Sequence, residues 1–243
     1  CVDHNMGNKA HTAVIEPTQA KGLLSSVSLE TLAGHFQLAR GTTARQGTEL
    51  SKTSFCGHMA SYMNGDSWPK LMLERLFQVA DLSNSGTALS FDDYVALLFV
   101  MGPSGSTKQR MSLLFRIYDF EAGGYVSKKS LQKMLVINTG LDSVSTSSWK
   151  VGVTKYDPSK DIVVETREKL HKAELSSMAD VMVESAMAFY DQDKDGKLNY
   201  EEFLNFAADS LEIATLLETM EKPTRLDSPW AGLTTDKSDS KGM

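Results

Sequence analysis

The chain has 243 residues, 41% of them hydrophobic and 23% charged, which is material for one large or two small folded domains. Its formal net charge of −6 argues against a nucleic-acid phosphate binder, and no apolar run approaches the length of a membrane span. Two cysteines, Cys1 and Cys56, make no disulfide framework, and the N-terminal stretch lacks the apolar core of a secretory signal, so a reducing, cytoplasmic setting is expected.

Residues 1–26 have no helical period and carry Gly7, Pro17 and Gly22, which reads as a mobile N-terminal arm. Met6-Gly7 partly matches an N-myristoylation start, but His11 stands where the motif wants Ser or Thr, and Thr12 comes one residue late. From Val27 a helix is expected with Leu29, Leu32, Ala33 and Phe36 on one face. Arg40 to Ser54 fills the place of a loop with no acidic residue before Glu49, and Phe55 then resumes a helix with Met59 and Met63. Pro69 reads as the first residue of a further helix, whose stripe is Leu73, Leu76, Phe77 and Ala80. Asp81-Leu82-Ser83-Asn84-Ser85-Gly86 follows, and Phe91, Tyr94, Leu97, Leu98 and Met101 line the outgoing helix. The run Gly102-Pro103-Ser104-Gly105 divides an N-terminal half, 27–102, from a C-terminal half, 103–220.

The second half opens on Met111, Leu114, Phe115 and Tyr118, one apolar stripe at i, i+3, i+4 and i+7. Asp119 to Val126 makes a loop, and Leu131, Met134 and Leu135 mark the next helix. The helical pattern lapses over about 140–167, where Trp149, Val151, Val153, Ile162 and Val164 alternate around Asp157-Pro158 as a short hairpin would. That much apolar area is expected to dock on the protein's own cleft or on a neighbouring subunit. Helix resumes with Met178, Val181, Met182, Ser185 and Phe189 expected to face inward, and leads into Asp191 to Glu202. Phe203, Phe206, Ala207 and Leu211 line the helix beyond, and residues 221–243 form a polar tail.

Asp191 to Glu202 fits D-x-[DN]-x-[DN]-G-x₅-E at every required position. A hard cation such as Ca²⁺ takes six to eight oxygens, and this spacing supplies them. Asp191, Asp193 and Asp195 offer carboxylates, Lys197 its backbone carbonyl, Asn199 a contact through water, and Glu202 both carboxylate oxygens. Gly196 permits the turn, and Leu198 is placed to pair with a neighbouring loop.

The same spacing recurs upstream. Loop starts at 40, 81, 119 and 191 are each preceded by an apolar residue four positions earlier, namely Phe36, Phe77, Phe115 and Met187. The intervals are 41, 38 and 72 residues, so the third holds an insertion of roughly thirty (72 minus 38). At this point the sequence resembles the four-EF-hand superfamily over about residues 27–220. Phe115 to Asp119 with Gly124 to Ser127 is similar to the third hand of the calcineurin B and neuronal calcium sensor families, and Leu211 to Leu217 with Glu221-Lys222-Pro223 is similar to the ciliary calaxin group. The resemblance implies an all-α fold of two EF-hand pairs, with short β-bridges between paired loops and clefts that bind helices.

Three loops depart from the pattern. In the third, Gly123 has no side chain and Ser130 replaces the bidentate glutamate. The second offers Asp81, Ser83 and Ser85 as a weaker set of ligands, and its twelfth position is Asp92 by count or Asp93 by alignment of Leu89. The first lacks ligands. Five scattered histidines and no phosphate-cradling glycine loop leave no catalytic constellation, so an enzyme is not expected. The expected function is calcium-responsive regulation through an amphipathic partner helix docked on Met178, Met182, Phe203 and Phe206 or nearby. The alternative is a constitutive subunit of a large assembly such as an axoneme.

Overall fold

The computed structural model describes residues 29–41, 49–62, 68–102, 105–138 and 177–221. The N-terminal arm, the insertion with its expected hairpin, and the polar tail beyond Glu221 lie outside the described residues. Helices dominate what is described: α1 (Leu29–Arg40), α2 (Lys52–Tyr62), α3 (Lys70–Ala80), α4 (Phe91–Met101), α5 (Thr107–Tyr118), α6 (Lys128–Asn138), α7 (177–190), α8 (Tyr200–Asp209) and α9 (Leu211–Glu221). Extended structure among these residues is confined to two-residue strands, β1 (Leu50–Ser51), β2 (Ala88–Leu89), β3 (Val126–Ser127) and β4 (Lys197–Leu198). β1 pairs antiparallel with β2, Leu50 opposite Leu89, and β3 pairs with β4, Val126 opposite Leu198. Each bridge joins two helix–loop–helix units, which is the all-α EF-hand architecture.

The elements fall into two compact units, one of residues up to Ile117 together with those from Ser210 onward, the other Tyr118–Asp209. In the first, α1 buries Leu32, Phe36 and Ala39, at i, i+4 and i+7. Leu29 and Ala33, expected on that face, are both exposed. Ala33 lies one residue, about 100° of helical turn, from Leu32, and Leu29 sits at the open first turn. Phe36 meets Tyr94 with ring centroids 5.5 Å apart, and Phe55 meets Phe77 at 5.6 Å, so residues at repeat-equivalent positions pack on each other. α4 is buried on every side from Asp93 to Met101, the mark of a core helix. Pro69 occupies the N-cap of α3 rather than its first turn, and Trp68 just before it is buried.

Two contacts extend this unit along the chain. The Arg75 guanidinium donates to the carbonyls of Ile117 (3.2 Å) and Arg116 (3.0 Å), where the last turn of α5 leaves acceptors unmatched. The C-terminal helix α9 buries Ile213, Leu216 and Met220. Leu211, expected to line the helix leaving the fourth loop, belongs elsewhere. α8 ends at Asp209, Ser210 interrupts, and Leu211 opens α9 at 78% exposure.

In the second unit, Tyr118 packs on Phe203 at 5.4 Å between ring centroids, and α6 buries Leu131, Met134 and Leu135. The inward face of α7 differs from the expected one. Ala179, Val183 and Met187, at i, i+4 and i+8, are buried, whereas Met178, Val181, Met182, Ser185 and Phe189 are not. Apolar residues occupy both faces of this helix, so composition alone does not say which one packs.

Candidate metal centre

The fourth loop bridges α7 and α8. The ligand oxygens of Asp191, Asp193 and Asp195 converge within 4.8 Å of one another. Backbone amides set them there: Asp191 accepts from the N–H of Asp195 (3.1 Å) and Gly196 (2.9 Å), and Asp195 accepts from Lys197 N–H (2.9 Å). Lys194 and Gly196 take positive φ, at 59° and 82°, and so turn the chain around the point where the carboxylates meet. From the far side, buried Glu202 accepts from Gln192 N–H at 2.8 Å and from Asn199 N–H at 2.9 Å. Asn199 in turn accepts from Glu202 N–H (3.1 Å), a reciprocal cap that ties the start of α8 to the loop. The oxygen-only donor set is one for a hard cation, and Asp191, Asp193, Asp195, the Lys197 carbonyl, Asn199 and Glu202 would hold Ca²⁺.

The β-bridges fix the register of the other three loops. Leu50, Leu89, Val126 and Leu198 are equivalent, so the twelfth positions are Ser54, Asp93, Ser130 and Glu202. This decides between Asp92 and Asp93: Asp93 is buried and makes the reciprocal cap with Ser90 that Glu202 makes with Asn199. Asn84 and Gly86 take the positive φ of the fourth and sixth positions, as Lys194 and Gly196 do, so the extra residue of loop two falls between Gly86 and Leu89.

Loop two satisfies its own acids. Asp81 accepts from Ser83 Oγ (2.9 Å), Ser85 N–H (3.0 Å) and Gly86 N–H (2.6 Å), while Ser85 Oγ donates to the Ala88 carbonyl at 2.7 Å. Burial pushes the Asp81 carboxyl up, but these hydrogen bonds outweigh it and hold it below the usual carboxylate range. In loop three, Asp119 accepts from the N–H of Gly123 (3.1 Å) and Gly124 (2.8 Å), and Glu121 accepts from Ser130 Oγ at 2.6 Å. The Tyr125 ring lies over Gly123, where an added Cβ would stand 2.5 Å from a ring carbon. In loop one, Ser51 accepts from Ser54 N–H at 3.2 Å and starts α2 at Lys52, earlier than the expected Phe55. These hydroxyl bonds are the part of the site that residue spacing does not reveal.

Of the expected docking residues, Met178 and Met182 are exposed and Phe206 is half-buried, but Phe203 is fully buried and offers no surface. A ring at the first position after the twelfth is needed against Tyr118, and that requirement overrides a place in a cleft.

The chain is 26% identical over 172 residues to a recoverin family protein of Dictyostelium discoideum, covering 69% of this chain and 66% of the relative. Fold, loop and relative agree on the EF-hand superfamily. A type 1 calcineurin B protein of the same organism is 23% identical over 134 residues, 55% of this chain and 57% of that one. Calcineurin B-like protein 5 of Arabidopsis thaliana is 25% identical over 138 residues, 57% of this chain and 54% of that one. The chain thus spans between about half and just under two thirds of the length of these relatives. No protein-family model matches it.

Proposed function

We propose that this protein is a calcium-responsive regulator: it binds one Ca²⁺ in the fourth loop and engages a partner protein through the apolar surface of its second unit. The convergence of Asp191, Asp193 and Asp195 opposite the inward-folded Glu202 carries this reading. Ion binding would draw Glu202 toward the aspartates and change the angle between α7 and α8, altering how much of Phe206 and the exposed α7 face is offered to a partner helix. The calcineurin B relatives are by name subunits of a larger protein, which supports a protein partner here and a regulatory rather than enzymatic part. A cytoplasmic location fits that reading.

The test is calorimetry with Ca²⁺ alongside a fluorescent probe of exposed apolar surface and capture of partners from the native source. Calcium that binds tightly and changes both probe signal and partner retention supports the regulator. Calcium that raises only the melting temperature favours a second reading, a constitutive subunit of a large assembly such as an axoneme. The observation behind that second reading is that the acids of loops two and three are satisfied by their own chain, as a packing module requires.

A further inference from the structure

We propose that Ser130 plays in loop three the part an ion plays in loop four, and that its hydroxyl positions the calcium loop through the β3–β4 bridge. The proposal rests on the reading of loop four as the calcium site.

In loop four, the twelfth residue reaches back with a carboxylate to close the exit helix onto the first half of the loop. In loop three, the closing bond runs the other way. The carboxylate comes from the third position, Glu121, and the twelfth residue supplies the donor: Ser130 Oγ donates to Glu121 Oε2 at 2.6 Å. Ser127 Oγ donates to the same carboxylate at 3.2 Å, and Ser130 N–H donates back to Ser127 Oγ at 3.1 Å. Ser130 is buried, so its hydroxyl has this triangle rather than water as its setting. The Ser130 bond is the chief reason that the Glu121 carboxyl sits below the usual carboxylate range. With Tyr125 over Gly123, the loop is closed with the chain's own atoms.

The triangle reaches loop four directly. Ser127, one of its corners, pairs across the bridge with Lys197, whose carbonyl would be a calcium ligand in that reading, and Val126 pairs with Leu198. The Lys197 ammonium lies 3.9 Å from the centre of the Tyr125 ring, a second tie between the same loops. Loosening the triangle frees β3, and β4 then loses the fixed neighbour that aims the Lys197 carbonyl. Ser130 is therefore a positioning residue for calcium.

The experiment compares the full chain with its Ser130→Ala, Ser130→Thr and Glu121→Ala variants and the Ala/Ala double variant, by calcium calorimetry and by thermal unfolding in chelator. Ser130→Ala is expected to weaken calcium about three- to tenfold, the scale of one ordinary net hydrogen bond, and to lower the calcium-free melting temperature. Ser130→Thr, which keeps the hydroxyl, should retain both. The double variant should lose no more than the worse single one, because both delete one interaction. Wild-type affinity in a folded Ser130→Ala protein, fully additive losses, or uptake of a second ion by loop three would each overturn the proposal. Absence of any calcium uptake by the wild-type chain would overturn the loop-four reading itself, whereas unchanged affinity beside normal uptake would overturn only the role of Ser130.

Discussion

Trp68 donates its indole N–H to Thr219 Oγ1 at 2.9 Å, which joins the residue before the N-cap of α3 to the C-terminal helix across 151 positions of sequence. Trp68 is 1% exposed, so this is the partner that its buried donor needs. Trp68→Phe keeps an aromatic ring and removes the bond. We expect a loss of about 0.5–1.5 kcal/mol in urea unfolding, and Thr219→Val should cost no more on top of it. Additive losses would show that the two side chains act separately.

This helix also marks where sequence reading stops. The fourth loop is legible because its ligands are local: Asp191, Asp193, Asp195, Gly196 and Glu202 stand at intervals fixed by the ion. The repeat is legible for the same reason, since Phe36, Phe77, Phe115 and Met187 keep one offset from their loops, and all four are buried. Leu211 is misplaced by its sequence because it continues the apolar period of α8, and only the break at Ser210 assigns it to a separate helix packed with the first unit. The two faces of α7 are hard to tell apart in sequence, because Met178, Val181, Met182 and Phe189 make as good a helical stripe as Ala179, Val183 and Met187, with larger side chains. The Glu121–Ser130 bond is illegible since a serine at the twelfth position reads only as a lost ligand until its donor geometry is seen.

Glu202→Gln should weaken calcium binding by orders of magnitude, because it removes a charge and one good ligand oxygen from the bidentate residue. The fold should persist, since the amide oxygen can still accept from Gln192 or Asn199 N–H. Calorimetry of the wild-type chain should give one tight site. Two equally tight sites would sink that expectation.

His58 lies beside Tyr94, with Nε2 and the phenol oxygen 3.2 Å apart. Burial, with a smaller contribution from His35, lowers its pKa from 6.5 to about 4. The unfolded chain therefore takes up this proton first as pH falls. Stability from this group is full above about pH 6.5 and is lost progressively towards about pH 4. His58→Gln should shrink the difference in unfolding free energy between about pH 7 and about pH 5 relative to wild type. An identical pH dependence in the variant would remove His58 from the account.

Val126 and Leu198 face each other across the second bridge, and each is fully buried. Val126→Asp places a carboxyl group there with no partner, and even in its neutral, protonated form it costs several kcal/mol, on the order of 2–7. Melting temperature and calcium affinity should fall together, because the bridge holds both loops. Val126→Ile, which keeps the β-branch, should leave affinity near wild type.

Phe189 and Phe203 share a residue type and flank the same loop, yet one is 81% exposed and the other 0%. Phe203→Ala removes a ring packed on Tyr118 and should cost about 3–5 kcal/mol of stability. Phe189→Ser removes surface that nothing among the described residues covers apart from a ring contact with Tyr190 at 6.4 Å, and should shift stability by no more than about 0.5 kcal/mol. If the α7 face serves a partner, the order reverses in a binding assay. Phe189→Ser and Met182→Glu should then keep calcium affinity and melting temperature but reduce retention of the native complex. Full retention by both variants, folded and loaded with calcium, would remove this face from the proposed interface and leave the half-buried Phe206 side of α8 to carry it.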